Sequence, residues 1–191
     1  MKGGSGFGTN ARLRFSNLIM YDRQTETWWQ QATGEAIAGE FAGAKLTFYP
    51  GAMISWEEYK TRYPNGKVLS RETGFRRSYG NNPYLGYDNI NNLPFLYSGP
   101  QTPGELPAVA RVLTVDLNNE AVAYPYTVLE NVGVVNDVVG SEPVVVFWTE
   151  GTASALDSDV IALGRDVGSA VAYARVIGDM ELNFSLVDNH I

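Results

Sequence analysis

From Val109 onward the chain is cut into strand-length apolar segments by tight turns, and this punctuation constrains the fold more than any other feature. Val109–Leu117 and Glu120–Leu129 flank Asn118-Asn119, two residues that tolerate positive φ and suit a hairpin turn. Pro143–Thr149 contains Val-Val-Val-Phe-Trp, a continuous apolar run that predicts a strand buried on both faces. Ser169–Ile177 and Glu181–Val187 flank Gly178-Asp179-Met180, which predicts another hairpin.

The N-terminal half has the same grain. Ala11–Phe15 alternates and leads into Asn17–Tyr21, while Thr27–Ala32 and Lys45–Tyr49 are rich in β-formers. Between them, Gly34–Gly43 holds three glycines among small residues, which suits bulges or close backbone approach rather than a helix. Ser55-Trp-Glu-Glu58 fits a capping box, and Pro64 with Asn65-Gly66 ends what it starts, so one short helix is expected near residues 56–63. Val68–Ser70 then resumes extended structure. Residues 79–107 read as a long loop rich in Pro, Asn and Gly, and their tyrosines favour packing over disorder. The expected fold is mainly β, an antiparallel sandwich or irregular barrel. A flexible leader, 1–11, precedes a single β-rich domain over 12–191.

Composition removes several chemistries. The 191 residues include no cysteine, so thiolate metal sites, disulfides and cysteine nucleophiles are excluded. The one histidine, His190, sits near a chain end, where a Ser-His-Asp triad or a multi-histidine metal site would have to rest on it alone. No metal and no cofactor are expected. A formal net charge of −7 argues against nucleic acid. The charge is uneven: residues 1–77 carry 11 Lys+Arg against 7 Asp+Glu, and residues 78–191 carry 3 against 14. Two faces of one domain, or an acidic surface for cations or a basic partner, would both produce this. No apolar run is long enough to span a membrane, and the N-terminus has no apolar core of a signal peptide.

Asp22, Arg23, Glu26 and Glu35 form the densest charged cluster, and paired carboxylates can serve glycoside hydrolysis. The architectural alternative is that Asp22 caps a turn. Trp28 and Trp29 are adjacent and so face opposite sides of a strand: one belongs to the core, the other can stack on a sugar. Arg76, Arg77, Tyr79, Tyr84, Tyr87 and Asp88 sit in or beside the long loop, where arginine can take a carboxylate or phosphate. Asp157, near Ser154, completes the candidates; it lies in no nucleophile elbow, phosphate loop or full calcium loop. The catalytic candidates are thus Asp22, Glu35 and Asp157. The ligand-binding candidates are Arg23, Trp28, Arg76, Tyr79, Tyr84, Tyr87 and Asp88. A function built on both sets requires them to converge on one concavity.

Several blocks, in order, carry a resemblance: Met20–Gly39, Ser55-Trp56 with Tyr63-Pro64, Val68–Gly74, Tyr79–Asp88, Pro94-Phe95-Leu96 and Gly151–Asp157. The chain resembles the bacterial and archaeal family catalogued as domain of unknown function 3179. The resemblance implies an exported, periplasmic or secreted protein with no assigned reaction. It also implies a second segment echoing Asp22–Gly34 beyond the equivalent of Asp188, so this chain is expected to be part of a longer protein. The expected function is a non-catalytic ligand-binding or interaction module, with a small molecule or glycan as partner. A carboxylate-based hydrolase and a structural domain whose partner is the missing repeat are the alternatives.

Overall fold

The structure, a computed structural model, describes residues 6–100, 104 and 106–187. His190 lies outside the described residues. The chain divides into two compact units: Met1–Gly51 with Asn91–Ala108, and Ala52–Ile90 with Val109–Ile191.

The first unit is built on a four-stranded antiparallel meander, β1 (Phe7–Arg14), β2 (Asn17–Asp22), β3 (Trp28–Gln30) and β4 (Ala36–Ala38). β1 begins at Phe7, inside the stretch read from sequence as a leader. Phe15 and Ser16 both take positive φ, the geometry a two-residue hairpin needs to match strand twist. Trp29 is buried in this sheet, as are Ile19 and Ala36, and its ring is set between Phe7 and Phe41. The glycine-rich stretch after β3 turns through positive φ at Gly34, Gly39 and Gly43. Lys45–Tyr49 is not a strand: it carries one isolated bridge, Lys45 to Glu35, beside which the Leu46 amide donates to the Gly34 carbonyl (2.8 Å).

The second unit holds the three-stranded sheet β7 (Val134–Val139), β8 (Glu142–Thr149) and β9 (Ser169–Ala174), with β8 central. Val144, Val145 and Val146 are all buried, as a strand covered on both faces requires. The hairpin β5 (Val112–Leu117) and β6 (Glu120–Pro125) turns at Asn118-Asn119, both at positive φ. Glu120–Leu129 is not one strand. Pro125 ends β6 and serves as N-cap of helix α2 (Tyr126–Val132), because the Tyr126 amide turns back to the Arg111 carbonyl. Leu129 on α2 then fills the core with Val115, Tyr124, Val139, Val144, Val146 and Ala170. Tyr124 donates its hydroxyl to Asp137 (2.8 Å). Burial, and then that carboxylate, push the phenol's pKa up.

The expected helix is α1 (Trp56–Arg62), with the Ser55 hydroxyl accepting the Glu58 amide. The C-terminal hairpin is shorter than its flanking segments suggest: β10 (Val176–Ile177) and β11 (Met180–Glu181) meet across Gly178-Asp179. It is anchored by Arg175, whose buried guanidinium donates to the Val144 carbonyl (3.1 Å) and the Leu182 carbonyl (3.0 Å), and pairs with Glu181 (2.5 Å). The protein is therefore mainly β, with several antiparallel sheets and, among the described residues, two short α-helices. Among the described residues no sheet closes into a barrel, and no helix is long and apolar enough to cross a membrane.

Candidate functional site

In the first unit, Asp22 ends β2 and organises the turn into β3. Its Oδ1 accepts the amides of Gln24 (3.2 Å) and Thr25 (2.7 Å), and its Oδ2 accepts the Thr25 hydroxyl (2.7 Å) and the Trp29 indole (3.1 Å). Burial opposes ionisation, but these donors outweigh it and the carboxyl's pKa falls to about 2. Such a group is a committed acceptor. A general acid at neutral pH needs the opposite shift. Glu35 is exposed and its backbone belongs to the sheet, its carbonyl accepting the Gln30 amide (2.9 Å). Arg23 lies over the Tyr21 ring (5.9 Å), and Trp28 is half-buried under the Arg12 guanidinium (5.1 Å).

In the second unit, the 79–88 candidates lie on a coil clasped by the segment after β8. The Asn82 amide donates to the Asp159 carbonyl (2.8 Å), the Ile161 amide to Gly80 (2.9 Å), and the Gly86 amide to Leu156 (3.1 Å). This clasp delivers Asp88 to Ser154. The Ser154 hydroxyl donates to Asp88 Oδ2 (2.5 Å) and accepts the Leu156 amide (3.2 Å). Arg165 bridges two carboxylates, with Nη2 on Asp88 (3.0 Å) and Nη1 on Asp157 (2.5 Å). Arg111 approaches Asp88 Oδ2 (3.7 Å) and Ser154 Oγ (3.4 Å) while lying over the Tyr126 ring. The Arg165 amide, donating to Asp157 Oδ2 (2.8 Å), is the main reason that carboxyl sits below its usual pKa; the guanidinium adds to it.

Ser154 is buried, at 1% exposure, and its oxygen is fully engaged, so it is not placed as a nucleophile. The junction is two carboxylates neutralised by two guanidiniums. Among the described residues, no three His, Asp or Glu side chains are grouped to hold a metal ion.

The remaining candidates point outward. Tyr79 is 46% exposed beneath Arg71 (5.5 Å), and Tyr84 is 57% exposed, tilted against Tyr87. Arg76 is exposed and pairs with no carboxylate among the described residues. Candidates from 22–35 and from 76–88 fall in different compact units. Sequence reasoning missed Arg111 and Arg165. A signal was present: only Arg111, Arg165 and Arg175 are basic in the whole acidic stretch 78–191, and each pairs with a carboxylate.

Residues 2–189 match the family model described as "Protein of unknown function (DUF3179)". The chain belongs to this family. No curated protein and no solved structure matches it. The match takes in both units, so Asp22 with its turn and the Asp88–Ser154–Arg165 junction all lie within the family's span.

Proposed function

We propose that this chain is a non-catalytic, β-rich binding module whose working surface is the arginine- and tyrosine-bearing segment of the second unit. One observation carries the reading. Residues 60–81 are exposed without interruption, and basic and aromatic side chains are interleaved along them. Surfaces of that kind on a scaffolded loop are where binding residues concentrate. Of the carboxylates that would serve a hydrolase, Asp22 is engaged by its turn and Asp88 and Asp157 by Arg165, which leaves the exposed Glu35 without a second carboxylate to work with. An extracytoplasmic setting rests on the family likeness alone. The repeat-partner reading gains little, since β11 ends at Glu181 and Phe184 packs edge-on against Phe147 (5.3 Å).

Titration of the chain against glycans and small anions, read by calorimetry, tests the module. Saturable binding that weakens in Arg76→Ala/Tyr79→Ala is the expected result. Turnover of a glycoside that is lost in Glu35→Gln would overturn the non-catalytic reading.

A further inference from the structure

Residues 54–79 form an excursion from the second unit, and among the described residues the hydrogen bonds that tie it down flank its ends. At one end, the Met53 carbonyl accepts the Ser169 hydroxyl (2.7 Å) at the start of β9. At the other, Gly80, Asn81 and Asn82 pair with Asp159, Val160 and Ile161. α1, between these anchors, buries none of its residues. Trp56, Tyr59 and Tyr63 instead form a ladder of rings along it, at 5.5 and 5.6 Å, with Lys60 over Trp56. Beyond it, Leu69 is 87% exposed and Phe75 70%.

The excursion is basic and the rest of its unit is acidic. Residues 52–81 hold six Lys+Arg and three Asp+Glu, whereas 109–191 hold three and twelve. Within one copy, no ion pair joins these two regions among the described residues. Lys60, Lys67, Arg71, Arg76 and Arg77 pair with no carboxylate among the described residues. Asp116 and Glu142 are exposed and form no ion pair among the described residues.

The fold explains the separation. Asn118 donates to the Gly140 carbonyl (2.8 Å) and Glu120 accepts the Gly140 amide (2.9 Å), so the β5–β6 and β7–β8 turns share one acidic end, at the start of β8. Met53 is anchored at Ser169, which pairs with Thr149 at the other end of β8. Eight residues of strand, at ~3.3 Å each, hold the two apart.

We infer that this surface binds a second copy of the chain, the basic excursion of each copy seated on the acidic end of the other. This rests on the binding-module reading for the surface and adds the partner. A reciprocal exchange of two unlike patches closes as a two-fold dimer. The excursion is 26 residues long, and a stable interface takes ~20–30 residues a side. The acidic remainder of the unit would repel a free polyanion, but it attracts another copy's excursion. Exposed leucine and valine, at Leu69 and Val68, also suit a protein face better than a sugar.

Sedimentation velocity on the purified chain tests this, with circular dichroism to verify the fold of each variant. A dimer is expected at low salt, and its dissociation constant should rise roughly tenfold or more in 0.5 M salt, where charges are screened within a few ångströms. Arg71→Glu/Arg76→Glu/Arg77→Glu should be monomeric, as should Asp116→Lys/Glu142→Lys. An equimolar mixture of the two variants should recover a dimer, because one patch pair is then native and the other complementary with its charges reversed. A monomer at low salt that binds an acidic glycan overturns the second-copy partner and leaves the binding module standing. A monomer that binds neither glycans nor small anions overturns both.

Discussion

Asp88→Ala is the sharpest test of the carboxylate–guanidinium junction as architecture. The side chain is 9% exposed and accepts from a serine at 1% exposure. Losing a hydrogen bond between a hydroxyl and a charged acceptor in such a place costs ~1.5–3 kcal/mol. The Arg165 pair is discounted, because that guanidinium is 50% exposed and solvent screens it; it adds ~1 kcal/mol at most. Arg111, 29% exposed and 3.7 Å away, adds less. The expected loss is therefore about 3 kcal/mol. With a urea dependence of roughly 2 kcal/mol per molar, the unfolding midpoint should fall by about 1.5 M. Unfolding followed by far-ultraviolet circular dichroism measures it. Ser154→Ala alone should cost less, since Asp88 keeps its arginines. The double variant should cost less than the two singles together, because both remove one bond. A loss under ~0.5 kcal/mol in Asp88→Ala, the scale of an ordinary surface change, would refute the reasoning and reopen a chemical role for Asp88.

Two further outcomes follow from the geometry. Asp22 has a folded pKa of about 2 against an ordinary 3.8, so the unfolded chain takes up the proton first and stability rises with pH across that window. The stability gap between the parent and Asp22→Asn should be full above pH 4 and should shrink as pH falls toward 2, read by urea titration at each pH; a constant gap would contradict the turn's reliance on the charge. Gly168 sits at φ +69°, and a Cβ there would fall 2.2 Å from the Trp148 ring. Gly168→Ala should lower stability by ~2–4 kcal/mol, combining strain and overpacking, whereas Gly178→Ala, at φ +62° with open space around it, should cost ~1 kcal/mol, both read by urea unfolding.

Much of the secondary structure was legible because its causes are local. The Ser55 cap and the Asn118-Asn119 turn each join residues no more than three apart, and β8 announces itself by continuous apolar character. Where local propensity met a competing long-range demand, the reading failed. The β-branched and aromatic run 120–129 reads as strand throughout. Pro125 and the need to bring Leu129 onto β8 turn its second half into α2. Lys45–Tyr49 has strand composition but meets a partner only at its first two residues, and composition cannot supply a neighbour.

The candidate site divides the same way. Asp22 as the keeper of a turn was readable, since its donors lie within seven residues. Asp88 was singled out by its loop, but its partners Ser154 and Arg165 lie 66 and 77 residues away. The amino-acid sequence by itself determined the turns, the cap, the apolar strands and the separation of basic from acidic stretches. Only the tertiary structure decided which carboxylate meets which guanidinium, and which cations meet none. The reason is range: a capped turn is settled by atoms a few bonds apart, whereas an ion pair forms only after the chain between its partners has been folded away.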